Sequence, residues 1–231
     1  MVNTKERGML YLVSTPIGNL EDISLRALRI LAEVDIIAAE DTRRTGLLLK
    51  HFGIQNRMES YHEHNKARKS TFLLNQLGRG NSVAIVSDAG TPGISDPAYD
   101  LVRKAVQASL PVVPIPGATA AISGLTVSGL PTDRFVFEGF LPPKKGRKAR
   151  LETLASETRT IILYEAPHRL LRTLSDLLET MGDRTIAVCR ELTKKFEEVL
   201  RGSISEIINI FSHRKIRGEF VLIIQGSTKK R

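Results

Sequence analysis

The hydrophobic positions of the first half of the chain form short continuous runs separated by stretches of helical spacing. Strands are predicted at 9–14, 35–39, 82–86 and 112–115. Helices are predicted at 23–31, 66–77, 97–108 and from Ala118, with Asp22 as the N-cap of the first. Because the runs are apolar throughout, both faces of their sheet should be covered, which is typical of a mostly parallel sheet.

The pattern changes near Pro131, where hairpins begin to mix with helices. Strands are predicted at 135–140, 160–164, 185–190, 197–201 and 219–225, and helices at 168–181 and 203–211. This mixture predicts a second α/β layer with a mixed sheet. We therefore expect two α/β domains, at 1–131 and 132–231, which 231 residues can accommodate.

The net charge is unevenly divided between the two predicted domains. The formal net charge is +9, of which residues 132–231 carry +7, from 20 basic and 13 acidic residues. A basic surface attracts polyanions, so the second half favours contact with nucleic acid. The alternative is a generally basic soluble protein.

Composition also bears on the compartment. Cys189 is the single cysteine and sits in an apolar run, which predicts a buried, unreactive thiol and no intrachain disulfide. Met1–Gly8 lacks the apolar segment of a signal peptide, and no apolar run approaches the roughly 18 residues of a membrane helix. We expect a cytoplasmic protein with no membrane partner.

The strongest local feature is the segment 87–97, SDAGTPGISDP, which joins a predicted strand to a predicted helix. Ligands of open α/β sheets bind at the carboxyl ends of the strands. Its glycines permit close backbone approach, and Asp88 and Asp96 could accept hydrogen bonds from a ligand. This segment is predicted to bind a ligand.

Two similar turns follow other strands, at 14–20 and 114–121. The second could bind a ligand or pack a helix tightly on the sheet. Neither the Gly-x-Gly-x-x-Gly fingerprint of dinucleotide sites nor a phosphate loop ending in Gly-Lys-Ser/Thr occurs. These absences disfavour a nucleotide-binding oxidoreductase or a triphosphatase.

Charged residues also follow two strands. Glu40, Glu165 and His168 are candidate general bases, and Arg43, Arg44 and Arg169 are candidate phosphate contacts. Helix capping, by Asp41 or Thr42 and by Glu165, is the alternative for both segments.

A basic run lies at 144–150. We interpret it as an RNA backbone contact made by Lys144, Lys145, Arg147, Lys148 and Arg150, although a solvated helix face is the usual origin of such a run. His62 and His64 would share one face of a strand, but no Cys or further His completes a metal site, so no metal is predicted.

Five segments together resemble a known family. They are STPIGNL at 14–20, AEDTR at 39–43, SDAGTPGISDP at 87–97, Pro116-Gly117 and YEAPHR at 164–169. In this order they resemble the small-subunit ribosomal RNA methyltransferase I family, over about residues 9–225. Its members usually continue for several tens of residues past the last strand, and this sequence ends at Arg231.

The resemblance implies a two-domain tetrapyrrole methylase-like (class III) fold, with S-adenosylmethionine in the cleft between the domains. It implies a homodimer that 2′-O-methylates a decoding-centre cytidine of 16S rRNA in the small ribosomal subunit. The cofactor contacts that it implies are Pro16, Asp88, Ala89, Thr91, Thr119, Ala120 and Tyr164, with Ala187 and Glu219 as weaker candidates.

Two other functions stay open at this point. A methylase of small tetrapyrroles would share the fold, but it would need an apolar trough rather than a basic run. A non-catalytic RNA-binding assembly factor would bind RNA and have no affinity for the cofactor.

Overall fold

A computed structural model describes residues 8–228, which form two compact units that divide between Thr119 and Ala120. The polar stretch before Gly8 and the basic tail at 229–231 lie outside the described residues. Among residues 8–228, no helix combines the length and apolarity that a bilayer-spanning segment needs.

The first unit contains five parallel strands joined by four helices. In chain order these are β1 (Leu10–Val13), α1 (Leu25–Glu33), β2 (Ile36–Ala39), α2 (Thr42–His51), β3 (Met58–Ser60), α3 (Lys66–Gly78), β4 (Val83–Val86), α4 (Ala98–Gln107) and β5 (Val112–Ile115). The strand order is β3-β2-β4-β1-β5. The predicted parallel sheet is therefore confirmed.

Alternate residues of these strands enter two separate cores, because successive side chains of a strand point to opposite faces. Ile37 and Ala39 pack with residues of α1 and α2. Ile36 and Ala38 pack with residues of α3 and α4. Both faces of the sheet are thus covered, which is why its strands are apolar throughout.

The second unit is a mixed sheet with four helices. Its elements are α5 (Ala120–Val127), β6 (Phe135–Phe140), α6 (Arg147–Ala155), β7 (Thr160–Glu165), α7 (Leu170–Met181), β8 (Thr185–Arg190), β9 (Glu198–Ser203), α8 (Ile204–Ser212) and β10 (Phe220–Ile224). The order is β6-β7-β10-β8-β9, and only β6 and β7 are parallel neighbours. Helices α6, α7 and α8 share one core with the sheet.

The division falls earlier than the predicted boundary at residue 131 because α5 belongs to the second unit. A Cβ on Gly124 of this helix would lie 3.1 Å from Val221 of β10. The Ala121 amide also donates to the Tyr164 hydroxyl, at 3.1 Å. The sequence of α5, a run of small residues after a strand of the first unit, does not indicate that the helix packs in the second unit.

The cap predicted for α1 is wrong by two residues. Ser24 precedes the helix, and its hydroxyl accepts a hydrogen bond from the Ala27 amide at 3.0 Å. Asp22 instead ends a short 3-10 turn. Asp41 does cap α2, through its carboxylate and the Arg43 amide at 2.8 Å.

Candidate active site

The carboxyl ends of β1 and β4 form the natural ligand-binding edge of the first unit. The two strands are neighbours, but α1 after β1 and α4 after β4 lie on opposite faces of the sheet. The chain therefore leaves the two strands in opposite directions, which opens a crevice between their loops.

Three loops meet at this crevice through direct hydrogen bonds. Thr15 and Gly90 exchange a pair of backbone hydrogen bonds, at 2.9 and 3.1 Å. The Thr91 hydroxyl donates to the Ala118 carbonyl at 3.1 Å and lies 3.0 Å from the Ser14 hydroxyl. The loops after β1, β4 and β5 are thus fastened together, and the predicted cofactor contact Thr91 acts here as their link.

Two glycines make this close approach possible. Gly90 has a backbone φ of +84°, a conformation that residues with a side chain rarely adopt. A Cβ on Gly117 would lie only 2.8 Å from the Cβ of Ser14. The Pro116-Gly117 turn therefore packs against the loop after β1.

Asp96 does not offer its carboxylate to a ligand, contrary to our expectation. Both of its oxygens accept from the Gly93 amide at 2.8 Å, and one also accepts from the Ala98 amide at 2.8 Å. Burial raises the pKa of Asp96, against these backbone hydrogen bonds. The residue fixes the shape of its own loop at the start of α4.

Asp88 is placed differently. Its Oδ1 is buried and has no hydrogen-bond partner among residues 8–228, whereas Oδ2 lies 3.3 Å from the Arg44 guanidinium. Its amide donates to Glu40 Oε2 at 3.3 Å. A buried carboxylate oxygen without a donor costs free energy, so this position fits a ligand that brings a hydroxyl or amine.

Glu40 lies directly beside Asp88, at the end of the adjacent strand β2. Burial raises the pKa of the Glu40 carboxyl, and the charges of Asp88 and Asp96 raise it further against the Arg44 charge. A carboxylate with a raised pKa accepts a proton more readily than an exposed one. Of the three candidate bases, Glu40 is the one whose surroundings raise its pKa and so favour its acting as a general base.

A cavity of about 380 Å³ opens next to this pair, within the range of roughly 300–1,000 Å³ that ligand pockets occupy. Its walls come from the loop after β1, from α2 and from the end of β4: Thr15, Pro16, Gly18, Leu20, Arg44, Thr45, Leu47, Leu48, His51, Ser87 and Asp88. Arg44 was predicted as a site residue, but the later α2 residues were missed because a helix with two arginines in its first turn has weak apolar periodicity. Ala89 is exposed beside the cavity, and Thr119 and Ala120 are half-buried after β5.

Glu165 is buried and fully paired, with none of its side chain exposed. Its carboxylate lies 3.1 Å from Arg169 Nε and accepts from the Ala166 amide at 2.8 Å and from the Thr173 hydroxyl. This arrangement argues against both Glu165 as a base and Arg169 as a phosphate contact, because each side chain already serves the other. His168 between them is exposed.

The other predicted cofactor contacts of the second unit hold structural positions. The Tyr164 hydroxyl accepts from the Ala121 amide, and its ring packs edge-on against Phe137 and Phe140. Ala187 is buried in the middle of β8. Glu219 is exposed, and its carboxylate lies 2.8 Å from Lys194.

The basic run divides into buried and exposed members. Arg147 is buried, 2.7 Å from the Asp176 carboxylate and 2.8 Å from the Thr173 hydroxyl, so it is not a free RNA contact as we predicted. Arg150 pairs with Glu138 at 2.9 Å. Lys144, Lys145 and Lys148 are exposed, and in the first unit Arg43 is exposed and paired with Asp41.

The histidine pair does not share a strand face, because β3 ends at Ser60 and His62 and His64 lie in the turn that follows. Over the residues that the structure describes, no group of three or more potential ligands is arranged to hold a metal ion.

Comparison with known proteins gives the class first. The model of the tetrapyrrole (corrin/porphyrin) methylases matches residues 9–208. Solved structures agree: a uroporphyrin-III C-methyltransferase from Thermus thermophilus superposes with a TM-score of 0.66 at 21% identity, covering 95% of this chain and 94% of the other. The methyltransferase CobJ gives 0.71 at 18% identity, covering 97% and 96%. The chain has the fold of the tetrapyrrole methylases and belongs to that family.

Relatives with higher sequence identity show to which branch of the family the chain belongs. Proteins named ribosomal RNA small subunit methyltransferase I are 51% identical in Halalkalibacterium halodurans and 55% identical in Synechocystis. The matches cover 97% and 96% of this chain and 78% and 80% of those proteins. The chain therefore belongs to the small subunit methyltransferase I branch of the tetrapyrrole methylases.

Proposed function

We propose that the protein is an S-adenosylmethionine-dependent methyltransferase that methylates the ribose 2′-hydroxyl of a decoding-centre cytidine in 16S rRNA. The observation that carries this proposal is the near-complete match, at about half identity, to relatives named for methylation of small-subunit ribosomal RNA. We further propose that it acts in the cytoplasm on the small subunit, as a homodimer.

The residues at the crevice fit the cofactor. Asp88 offers a buried carboxylate oxygen, and Pro16 and Ala89 stand beside it. Gly117 is exposed and Thr119 is half-buried at the end of the loop after β5. S-adenosylmethionine supplies, when bound, a methyl group already activated on a sulfonium. A solved uroporphyrin-III C-methyltransferase with this fold is complexed with S-adenosylhomocysteine.

The residues of this chain then have two tasks. The ribose hydroxyl must be held in line for attack, and positioning alone can supply several kcal/mol of the barrier. Its proton must be accepted, and we assign this task to Glu40 rather than to Glu165 or His168. Arg44, 3.3 Å from Asp88, would neutralise a phosphate near the same edge.

The test is to incubate the protein with labelled cofactor and small subunits that lack the modification, and to map the label on the RNA. Label on a cytidine ribose is expected. Calorimetry with the cofactor accompanies it: Asp88→Ala should abolish binding, and Asp133→Ala, which removes an exposed carboxylate of the second unit, should not.

Three outcomes would overturn the proposal. RNA binding without cofactor affinity would make the protein a non-catalytic assembly factor. Methylation of a porphyrinoid but not of small subunits would make it a tetrapyrrole methylase. Label on a base rather than a ribose would overturn the 2′-hydroxyl.

A further inference from the structure

One end of the sheet in the second unit collects four loops. Strands β6, β7 and β8 end there, and β9 and β10 begin there, as the pairings of Phe140 with Tyr164, Phe220 with Glu165 and Arg190 with Glu198 fix. The segments 141–146, 166–169, 191–197 and 213–219 therefore lie along one edge. We call them the distal loops.

The distal loops hold most of the net positive charge of this half of the chain, +5 of the +7. They contain eight basic residues and three acidic ones: Lys144, Lys145, Arg169, Lys194, Lys195, Arg214, Lys215 and Arg217, against Glu191, Glu197 and Glu219. The segments at the opposite end, 128–134, 156–159, 182–184 and 225–228, contain three of each. The contrast between the ends marks the distal loops as a surface for a polyanion.

The acids of the distal loops are used to hold the loops themselves. Lys194 is clamped between Glu191 at 3.1 Å and Glu219 at 2.8 Å. The Glu197 carboxylate accepts from the Thr193 amide at 2.5 Å. Lys195, Lys215 and Arg217 are exposed and form no ion pair among residues 8–228. Glu197 and Glu219 are exposed as well, so the outward charge of these loops is positive on balance.

Phe196 stands at the tip of the 191–197 loop, and 64% of it is exposed. Glu191 and Thr193 adopt positive φ values of 50° and 66°, which shape the turn that presents the ring. The Lys195 ammonium lies 5.7 Å from the ring centroid. An exposed aromatic ring beside an unpaired lysine is the arrangement on which single-stranded nucleic acids stack their bases.

We propose that Phe196 is a stacking platform for an unpaired base of the RNA substrate, with Lys195, Lys215 and Arg217 contacting the flanking phosphates. This inference rests on the proposed function and specifies how its substrate is held. A second copy of the chain is a poorer occupant, because it would bring two positive surfaces together. Phe196 is a positioning residue and takes no part in the chemistry.

The sequence offers a direct probe, because the chain contains no tryptophan. Phe196→Trp keeps the stacking face and introduces the single indole fluorophore. Tyr99→Trp is the matched control, since Tyr99 on α4 is 66% exposed. A single-stranded RNA oligonucleotide should quench the fluorescence at position 196, and a blunt duplex of the same sequence should quench it much less. The control should respond to neither.

Affinity and turnover complete the test. Phe196→Ala should raise the KM for unmodified small subunits about tenfold, from the loss of one stacked base. The kcat and the calorimetric affinity for the cofactor should stay unchanged, and Phe196→Trp should restore the wild-type KM.

The outcomes separate the two proposals. If the wild type neither binds the cofactor nor methylates small subunits, the proposed function fails. If the wild type is active while Phe196→Ala has an unchanged KM, or Phe196→Trp is not quenched by single-stranded RNA, the stacking platform alone is overturned. A dimer that dissociates in Phe196→Ala would likewise overturn it, by making this surface an interface between copies.

Discussion

Glu40 directly follows strand β2 and Glu165 ends strand β7, one in each unit, and both are candidate bases from the sequence. Their surroundings differ. Glu165 receives a guanidinium, a hydroxyl and an amide, and none of its side chain is exposed. Glu40 receives one amide at 3.3 Å and lies near two other carboxylates. A carboxylate with its full set of partners holds structure, whereas one with few partners and a raised pKa is prepared to take up a proton.

The largest expected effect is on catalysis at Glu40. Glu40→Gln should slow single-turnover methylation by about 10²- to 10⁴-fold, the usual contribution of a general base. Cofactor affinity should change little. A rate within a factor of two of the wild type would remove Glu40 from the chemistry.

The pH dependence of the methylation rate is a second test of Glu40 as the general base. Because burial raises the pKa of Glu40, the ionised, active form is lost at a higher pH than for an exposed glutamate. The rate should therefore fall as the pH is lowered through this raised pKa. In Glu40→Gln the acidic limb attributed to this group should disappear, while the free energy of unfolding near neutral pH should not decrease, since a carboxylate with a raised folded-state pKa is destabilising when ionised.

The second prediction concerns stability at Glu165. Glu165→Gln should lower the free energy of unfolding by about 3 kcal/mol, because it removes the buried carboxylate that pairs with the half-buried Arg169 charge. Denaturant unfolding measures this loss. Glu33→Gln on α1 is the matched control: it also breaks an i,i+4 pair with arginine, but both side chains are more than half exposed. It should cost less than about 1 kcal/mol.

A stable Glu165→Gln variant that methylates slowly would reverse the assignment of the two glutamates. The rate per folded molecule must therefore be measured for this variant as well. We expect it to match the wild type.

The sequence predicts the strands at whose ends Glu40 and Glu165 lie better than it predicts the surroundings of the two carboxylates. The strands at 112–115, 135–140 and 185–190 were predicted to the residue, because β-branched and aromatic residues are enriched in strands. Helices α2 and α6 were recognised only as charged stretches, since their exposed faces hide the periodicity. The neighbours of Glu40 depend on β2 lying beside β4, and strand order is set by long-range packing. The Glu165 partners lie four and eight residues further on, but Glu165 itself ends a strand, so no helical periodicity in the sequence joins it to them.

The third prediction concerns the two ends of the second sheet. Lys144→Ala with Lys145→Ala should weaken RNA binding and reduce the slope of log affinity against log salt by about 1–2, since each phosphate contact contributes roughly one unit. Arg134→Ala with Arg159→Ala removes the same charge from the opposite end. If both double variants lose affinity equally, net charge rather than the distal loops governs RNA binding.

The smallest expected effect is at Cys189, which shares with Glu40 a pKa raised by burial. Burial raises the pKa of this thiol to about 11, and its sulfur lies 3.8 Å from the Gly124 carbonyl oxygen. At pH 8 only about 0.1% would be thiolate, the form that reacts with disulfide reagents. The native protein should therefore show almost no reaction and the unfolded protein one thiol per chain. Rapid native reaction would mean that α5 opens readily from the sheet, because Gly124, the hydrogen-bond partner of the sulfur, belongs to that helix.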